Sequence, residues 1–210
     1  MEKNAAGKFI VLDGIDGCGK GTQTKLLSDF LIQKGYNLIV KKYPEYGQPI
    51  GDLIDAWLHK KFEMNIYAES LVYFADFIKD KNLFENFLKN GNIIVADRYF
   101  TATIVYQNLK GFHLNKLLDL AKLFELPKPD LCLYLKISPE TSLQRKSEQK
   151  GVQDLDRHEE NLQFQKLLAE TFDKMASEKI FCDWEIIDGE QSAENVHNQI
   201  IGILNKKYYL

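Results

Sequence analysis

From Gly14 to Thr22 the chain reads GIDGCGKGT, with Gly14, Gly17, Gly19 and Gly21 interleaved with Asp16, Cys18 and Lys20. Glycines at this density let backbone N–H groups close on an anion, and a lysine among them adds a mobile positive charge. The run is therefore suited to holding phosphate oxygens. A loop of this type ordinarily follows its lysine with Ser or Thr, whose hydroxyl ligates Mg²⁺. Here Gly21 takes that place and Thr22 comes next. A metal must then be held mainly by phosphates, water and a carboxylate elsewhere, with Thr22 as the nearest hydroxyl.

Two further groups suit the same chemistry. Asp97 and Arg98 close an apolar run; a carboxylate there reaches a metal's water shell, and a guanidinium clamps phosphates and offsets charge on a transferring group. A strand-end salt bridge is the competing reading for Asp97 and Arg98. The polar stretch 145–158 carries Arg145, Lys146, Lys150 and Arg157 around a glycine, the composition of a lid that excludes water and brings positive charge late. The competing reading there is a solvated charged helix face. Phosphoryl transfer depends on positioning and charge neutralisation more than on a covalent nucleophile.

These residues need a scaffold. Apolar runs at 8–13, 38–43, 93–97, 131–137 and 184–187 read as strands. Helical spacing is found at 19–34, 50–58, 68–78, through FENFLKNG, and at 101–107, 114–126, 155–175 and the C-terminal SAENVHNQIIGIL. Ser138 before Pro139 and Glu140 predicts an N-cap, and the polar residues 147–154 predict a break after that helix. Strands alternating with helices give an α/β fold: a five-stranded parallel sheet flanked by helices on both faces, with the glycine loop between the first strand and first helix. One domain over 1–210 is expected, with neither repeat nor linker.

The 27 basic and 30 acidic residues are scattered, which argues against a nucleic-acid partner. With no apolar stretch long enough for a membrane span and no signal-like start, a cytoplasmic protein is expected. Cys18, Cys132 and Cys182 lack metal-ligand spacing and read as free thiols in a reducing compartment.

Together, the glycine loop, ADRYFTATIVYQ and LPKPDLCLYLKISPE make the chain resemble the thymidylate kinase family over nearly its whole length. The string GKGTQ is also similar to adenylate kinases, so glycine after the lysine is tolerated among nucleoside monophosphate kinases. An NKxD guanine-reading motif is missing. The resemblance implies the P-loop nucleoside monophosphate kinase fold, a homodimer, and transfer of a phosphoryl group from ATP to dTMP with Mg²⁺. It also implies roles for single residues: Asp16 on the deoxyribose 3′-hydroxyl, Tyr106 beneath the sugar, Thr103 in polar contact with the base, and Tyr73 stacked on it, although Tyr73 and Phe74 could instead both face the core. Gly17 stands where some members carry a catalytic arginine, which moves that charge to Arg145 or to Arg157 in LDRHE; His158 is expected to be a surface neighbour. Phe77 and Tyr46 occupy positions where relatives have arginines near the base and the acceptor phosphate, and Lys79 or another basic residue is the candidate replacement. The alternatives are a kinase of another nucleoside monophosphate such as dUMP or dGMP, a kinase of another small acceptor, and a non-catalytic nucleotide-binding protein.

Overall fold

A computed structural model describes residues 7–150 and 162–210. The elements run β1 (Lys8–Asp13), α1 (Lys20–Gln33), β2 (Leu38–Lys42), α2 (Pro49–Leu58), α3 (Ile66–Ile78), α4 (Lys81–Lys89), β3 (Ile93–Asp97), α5 (Phe100–Leu109) and α6 (Leu114–Leu123). They continue with β4 (Leu131–Lys136), α7 (Pro139–Lys150), α8 (Leu162–Ser177), β5 (Trp184–Asp188) and α9 (Ala193–Tyr208). The strands form one sheet in the order β2-β3-β1-β4-β5, every pairing parallel.

The apolar runs of β1, β3 and β4 are continuous rather than alternating because those strands are covered on both faces. Helix α1 packs on β1, β2, β3 and α9, while α8 packs on β4, β5 and α5. Beneath the carboxyl ends of β1 and β3 lies an aromatic cluster in which Tyr99 contacts Phe9, Tyr43, Phe77 and Phe84. In an open parallel sheet ligands bind outside the carboxyl ends, where connections leave the central strand in opposite directions. Strand β1, flanked by β3 and β4, delivers the glycine loop to that place.

Local chemistry sets the helix ends. Ser138 Oγ accepts from Thr141 N–H at 3.1 Å, as the Ser-Pro-Glu sequence predicts, and Asn65 Oδ1 accepts from two N–H groups at the start of α3. Helix α6 stops at Leu123 rather than at 126. Glu125 turns to φ 50° and Leu126 N–H reaches back to Ala121 O at 2.8 Å, because Pro127 disfavours helical backbone in the residue before it. Helix α7 continues to Lys150 through part of the expected polar break: its exposed face tolerates polar residues, and Gln144 bonds Glu148 one turn on. Helix α8 is described from Leu162, so residues 155–161 of the expected helix lie outside the described residues, as do Arg157 and His158. No described helix is long and apolar enough to cross a membrane.

Candidate active site

The glycine loop runs from the end of β1 into α1, as the sequence predicts. Lys20 is 7% exposed, and its ammonium donates to the carbonyls of Gly14 and Ile15 at 3.0 Å each and lies 3.6 Å from Cys18 Sγ. The Cys18 thiol is buried within the loop, and that burial pushes its pKa up. Gly17 has φ 76°, and a β-carbon there would lie 3.0 Å from Ser142 O. Helix α7 therefore sits directly against the loop, fastened by Ser142 Oγ donating to Asp16 O at 2.5 Å. At Gly21 a β-carbon would meet only Asp97 Oδ2, at 3.8 Å. Thus Gly21 and the buried Asp97 carboxylate lie together at one end of the loop.

Arg98 makes no ion pair with Asp97 and pairs instead with Asp16 and Asp13. Its backbone takes φ 66° at the end of β3, with its N–H bonded to Leu12 O at 3.0 Å. This turn directs the guanidinium across to the glycine loop, where Nη2 meets Asp16 Oδ1 at 2.7 Å and Nη1 lies 3.8 Å from Asp13 Oδ1. A non-glycine residue held left-handed at the site is local strain that the surroundings must impose. Asp16 Oδ1 is also 3.9 Å from Lys20 and 4.0 Å from Lys146. Burial disfavours the Asp16 charge, but Arg98, Lys20 and Lys146 outweigh it and hold the carboxyl well below the usual carboxylate range. Asp13 is completely buried, which raises its pKa; it accepts from Thr101 Oγ1 and Gly14 N–H and so fixes the start of the loop.

Beyond Arg98 a pocket opens between α3, α5 and the loop after β2. Asp16, Tyr73, Arg98, Thr103 and Tyr106 all line it, so the acceptor residues expected from sequence are brought together. Tyr106 carries the Arg98 guanidinium over its ring at 5.6 Å. Tyr73 faces the pocket, whereas its neighbour Phe74 packs on Phe100 and Phe124 in the core. Phe77 is 2% exposed and closes the pocket floor against Tyr43 and Tyr99, while Tyr46 lines the same pocket with 48% of its surface exposed.

Lys79 does not replace the arginine absent at position 77. Its ammonium is taken by Asp76 and Glu45 at 2.8 Å and Asp80 at 3.2 Å, and Lys79 is not among the residues lining the pocket. Sequence reasoning missed Glu69 and Gln107, which also line the pocket. Helix α5 also carries Thr101, Thr103 and Asn108, so a further glutamine gave little signal.

The α7 candidates behave differently from one another. Arg145 donates to Gly17 O at 3.4 Å and Gly189 O at 3.1 and 3.2 Å, bracing the glycine loop against the turn after β5. Lys146, one residue on in α7, is directed towards Asp16 instead.

The thymidylate kinase family model matches residues 12–200. A thymidylate kinase from Thermoanaerobacter sp. (strain X514) is 32% identical over 95% of this chain and 98% of its own length. A probable thymidylate kinase from Thermococcus kodakarensis is 33% identical over 93% and 96%, and a thymidylate kinase from Caldicellulosiruptor saccharolyticus is 32% identical over 95% and 96%. With a phosphate-binding loop, a strand-end arginine bonded into it and an aromatic-walled pocket on a parallel five-stranded sheet, this chain belongs to the thymidylate kinase family.

Proposed function

We propose that the chain transfers the γ-phosphoryl group of ATP to dTMP, giving ADP and dTDP. The observation that carries this reading is the 2.7 Å Arg98–Asp16 pair, which links the phosphate-binding loop to the acceptor pocket. In-line transfer between two phosphates needs both held by shared positive charge at close range. In this reading the backbone N–H groups of Gly14, Asp16, Gly17, Cys18, Gly19, Lys20, Gly21 and Thr22 surround the donor phosphates, and the Lys20 ammonium leaves the loop carbonyls for the β- and γ-oxygens. Arg98 holds the acceptor phosphate, one oxygen of which attacks the γ-phosphorus as the bond to ADP breaks. No general base is required, since that oxygen is already ionised near neutral pH.

Asp16 takes the deoxyribose 3′-hydroxyl, Tyr106 lies under the sugar, Thr103 makes a polar contact with the base, and Tyr73 stacks on it, worth about 1–3 kcal/mol. Arg157, outside the described residues, is the candidate for the lid's catalytic charge, and Arg145 steadies the glycine loop.

Mg²⁺ favours one or two carboxylates together with phosphate oxygens and water. Asp97, 6% exposed and beside the open space at Gly21, fits that donor set. Asp97 would hold the ion through water, with Thr22 as a further oxygen; when bound, the ion neutralises phosphate charge. The same reading makes the protein a cytoplasmic homodimer. Leu53, Tyr67 and Leu71, 43 to 61% exposed on α2 and α3, supply apolar surface for a second copy, and a monomer by sedimentation at micromolar concentration would exclude the dimer.

A coupled ADP-release assay over dTMP, dUMP, dGMP, dAMP, dCMP and their ribonucleotides tests the function. The highest kcat/KM is expected for dTMP; activity confined to dGMP or dCMP would overturn the acceptor assignment and keep the kinase class.

A further inference from the structure

Tyr43, Pro44, Tyr46 and Phe77 form one wall of the acceptor pocket. Joined to that wall are five charged side chains that phosphoryl transfer leaves without a role. Lys79, the residue after α3, places its ammonium 2.8 Å from Asp76 Oδ1, 2.8 Å from Glu45 Oε2 and 3.2 Å from Asp80 Oδ2. From β2, Lys41 reaches Glu45 Oε1 at 2.9 Å and Asp80 Oδ1 at 3.1 Å. Asp76 is fully buried and accepts from the Glu45 N–H at 3.0 Å through Oδ2. Tyr43 Oη donates to Asp80 Oδ2 at 2.7 Å.

Glu45 is thus held twice from the end of α3, at its backbone by Asp76 and at its carboxylate by Lys79. Burial disfavours the Lys79 charge, but the bonds to Asp76 and Glu45 outweigh it and raise its pKa. Enclosed ion pairs give up hydration to form, and apolar side chains could fill the same space about as stably. Apolar contacts are non-directional, however, whereas these bonds set the 43–46 segment at one place on α3. Both ends of that segment carry aromatic rings that line the pocket. Tyr43 packs on Phe77 at 5.0 Å between centroids, and Tyr46 is half-exposed.

We propose that Lys79 is a positioning residue for the acceptor: through Glu45 and Asp76 it fixes the 43–46 segment to α3 and so holds Tyr43 and Tyr46 in place around the bound nucleotide. The proposal rests on the nucleotide-kinase reading of the pocket and deepens it. Lys79 is not among the residues lining the pocket, so it acts on the acceptor only through the wall. A wall that shifts weakens contacts made to the acceptor before and during transfer alike, which appears in KM more than in kcat. The network contains no residue of the glycine loop, so the effect is confined to the acceptor.

Steady-state kinetics on wild type, Lys79→Met and Lys79→Arg, with thermal melting of each, test the proposal. Lys79→Met keeps most of the side chain's length and removes its charge. KM for dTMP is expected to rise about tenfold, with kcat and KM for ATP within about twofold of wild type. Lys79→Arg keeps the charge and several N–H donors, and is expected to bring KM for dTMP back to within about threefold of wild type. Should Lys79→Met fail to fold because Asp76 is left charged and buried, Glu45→Gln weakens the same link at its other end, and the same rise in KM for dTMP is expected. A folded Lys79→Met or Glu45→Gln whose KM for dTMP stays within about twofold of wild type overturns the positioning role and leaves the kinase assignment standing. Equal losses for dTMP and ATP, in step with a lowered melting temperature, also overturn it, since they mark an ion-pair network that serves stability alone. Wild-type protein with no turnover of dTMP refutes the functional reading itself, and this proposal with it, before any variant is compared.

Discussion

Replacing Gly17 with alanine separates two costs that the structure places at one residue. The backbone there is left-handed at φ 76°, which costs an L-residue about 1–2 kcal/mol. The added β-carbon also lies 3.0 Å from Ser142 O and 3.4 Å from Ser142 Cα, and such overpacking costs about 1 kcal/mol or more because α7 must shift. Gly19 is the control: its φ is 95°, but a β-carbon there has nothing within 4 Å, so Gly19→Ala carries the backbone cost alone. Urea unfolding at 25 °C should find both variants destabilised, with Gly17→Ala lower than Gly19→Ala by about 1 kcal/mol at unchanged m-value. Gly17→Ala should also lose activity, because Ser142 ties α7 to the Asp16 carbonyl. The same crowding leaves no room for an arginine at position 17 while α7 stays where it is. A Gly17→Ala variant as stable as Gly19→Ala, with wild-type kcat, would refute the tight seating of α7 on the loop.

Asp16→Asn removes a charged partner of Arg98 and should lower kcat/KM for dTMP about 10- to 100-fold, from the roughly 1.5–3 kcal/mol of a charge-assisted bond; a loss under threefold would contradict the link between loop and pocket. Because its folded pKa is depressed, Asp16 contributes stability that is fully present above the ordinary carboxylate value of 3.8 and lost only as pH falls through the folded value. Urea midpoints of wild type should therefore show no Asp16 contribution to pH dependence between pH 5 and 8, and the stability difference from Asp16→Asn should shrink only below about pH 4. Gly21→Ser should fold with stability unchanged or raised by up to about 0.5 kcal/mol, and should lower the Mg²⁺ concentration for half-maximal rate; destabilisation above about 1 kcal/mol would mean that the space beside Asp97 is not open. Arg145→Met should raise KM for ATP about tenfold with a smaller change in kcat, since Arg145 braces the carbonyls of Gly17 and Gly189. A hundredfold fall in kcat at constant KM would instead place Arg145 on the transferring group.

Strands β1, β3 and β4 were legible because burial on both faces leaves uninterrupted apolar runs, and the glycine loop because phosphate binding demands glycine and lysine at fixed places. The end of α6 was not, since the apolar pattern continues into Leu126 while the backbone is already turning ahead of Pro127. Asp16, Arg98, Thr103, Tyr73 and Tyr106 were named from sequence, yet their convergence depends on the turn at Arg98. Nothing local announces that turn, because arginine rarely adopts positive φ. Glu69 and Gln107 escaped notice because each reads alone as an ordinary helical residue; their pairing exists only once α3 packs on α5. Lys79 looked available in sequence and is committed to three carboxylates in space.

In the proposed function Arg98 joins the phosphate-binding loop to the acceptor pocket so that a phosphoryl group passes between them. Direct chromatographic detection of dTDP from dTMP and MgATP, for wild type beside Lys20→Ala and Arg98→Ala, tests it most directly. Stoichiometric dTDP and ADP are predicted for wild type, with rates at least about a hundredfold lower in both variants at unchanged fold. ADP formed without dTDP, or dTDP formed equally well by Arg98→Ala, would contradict it.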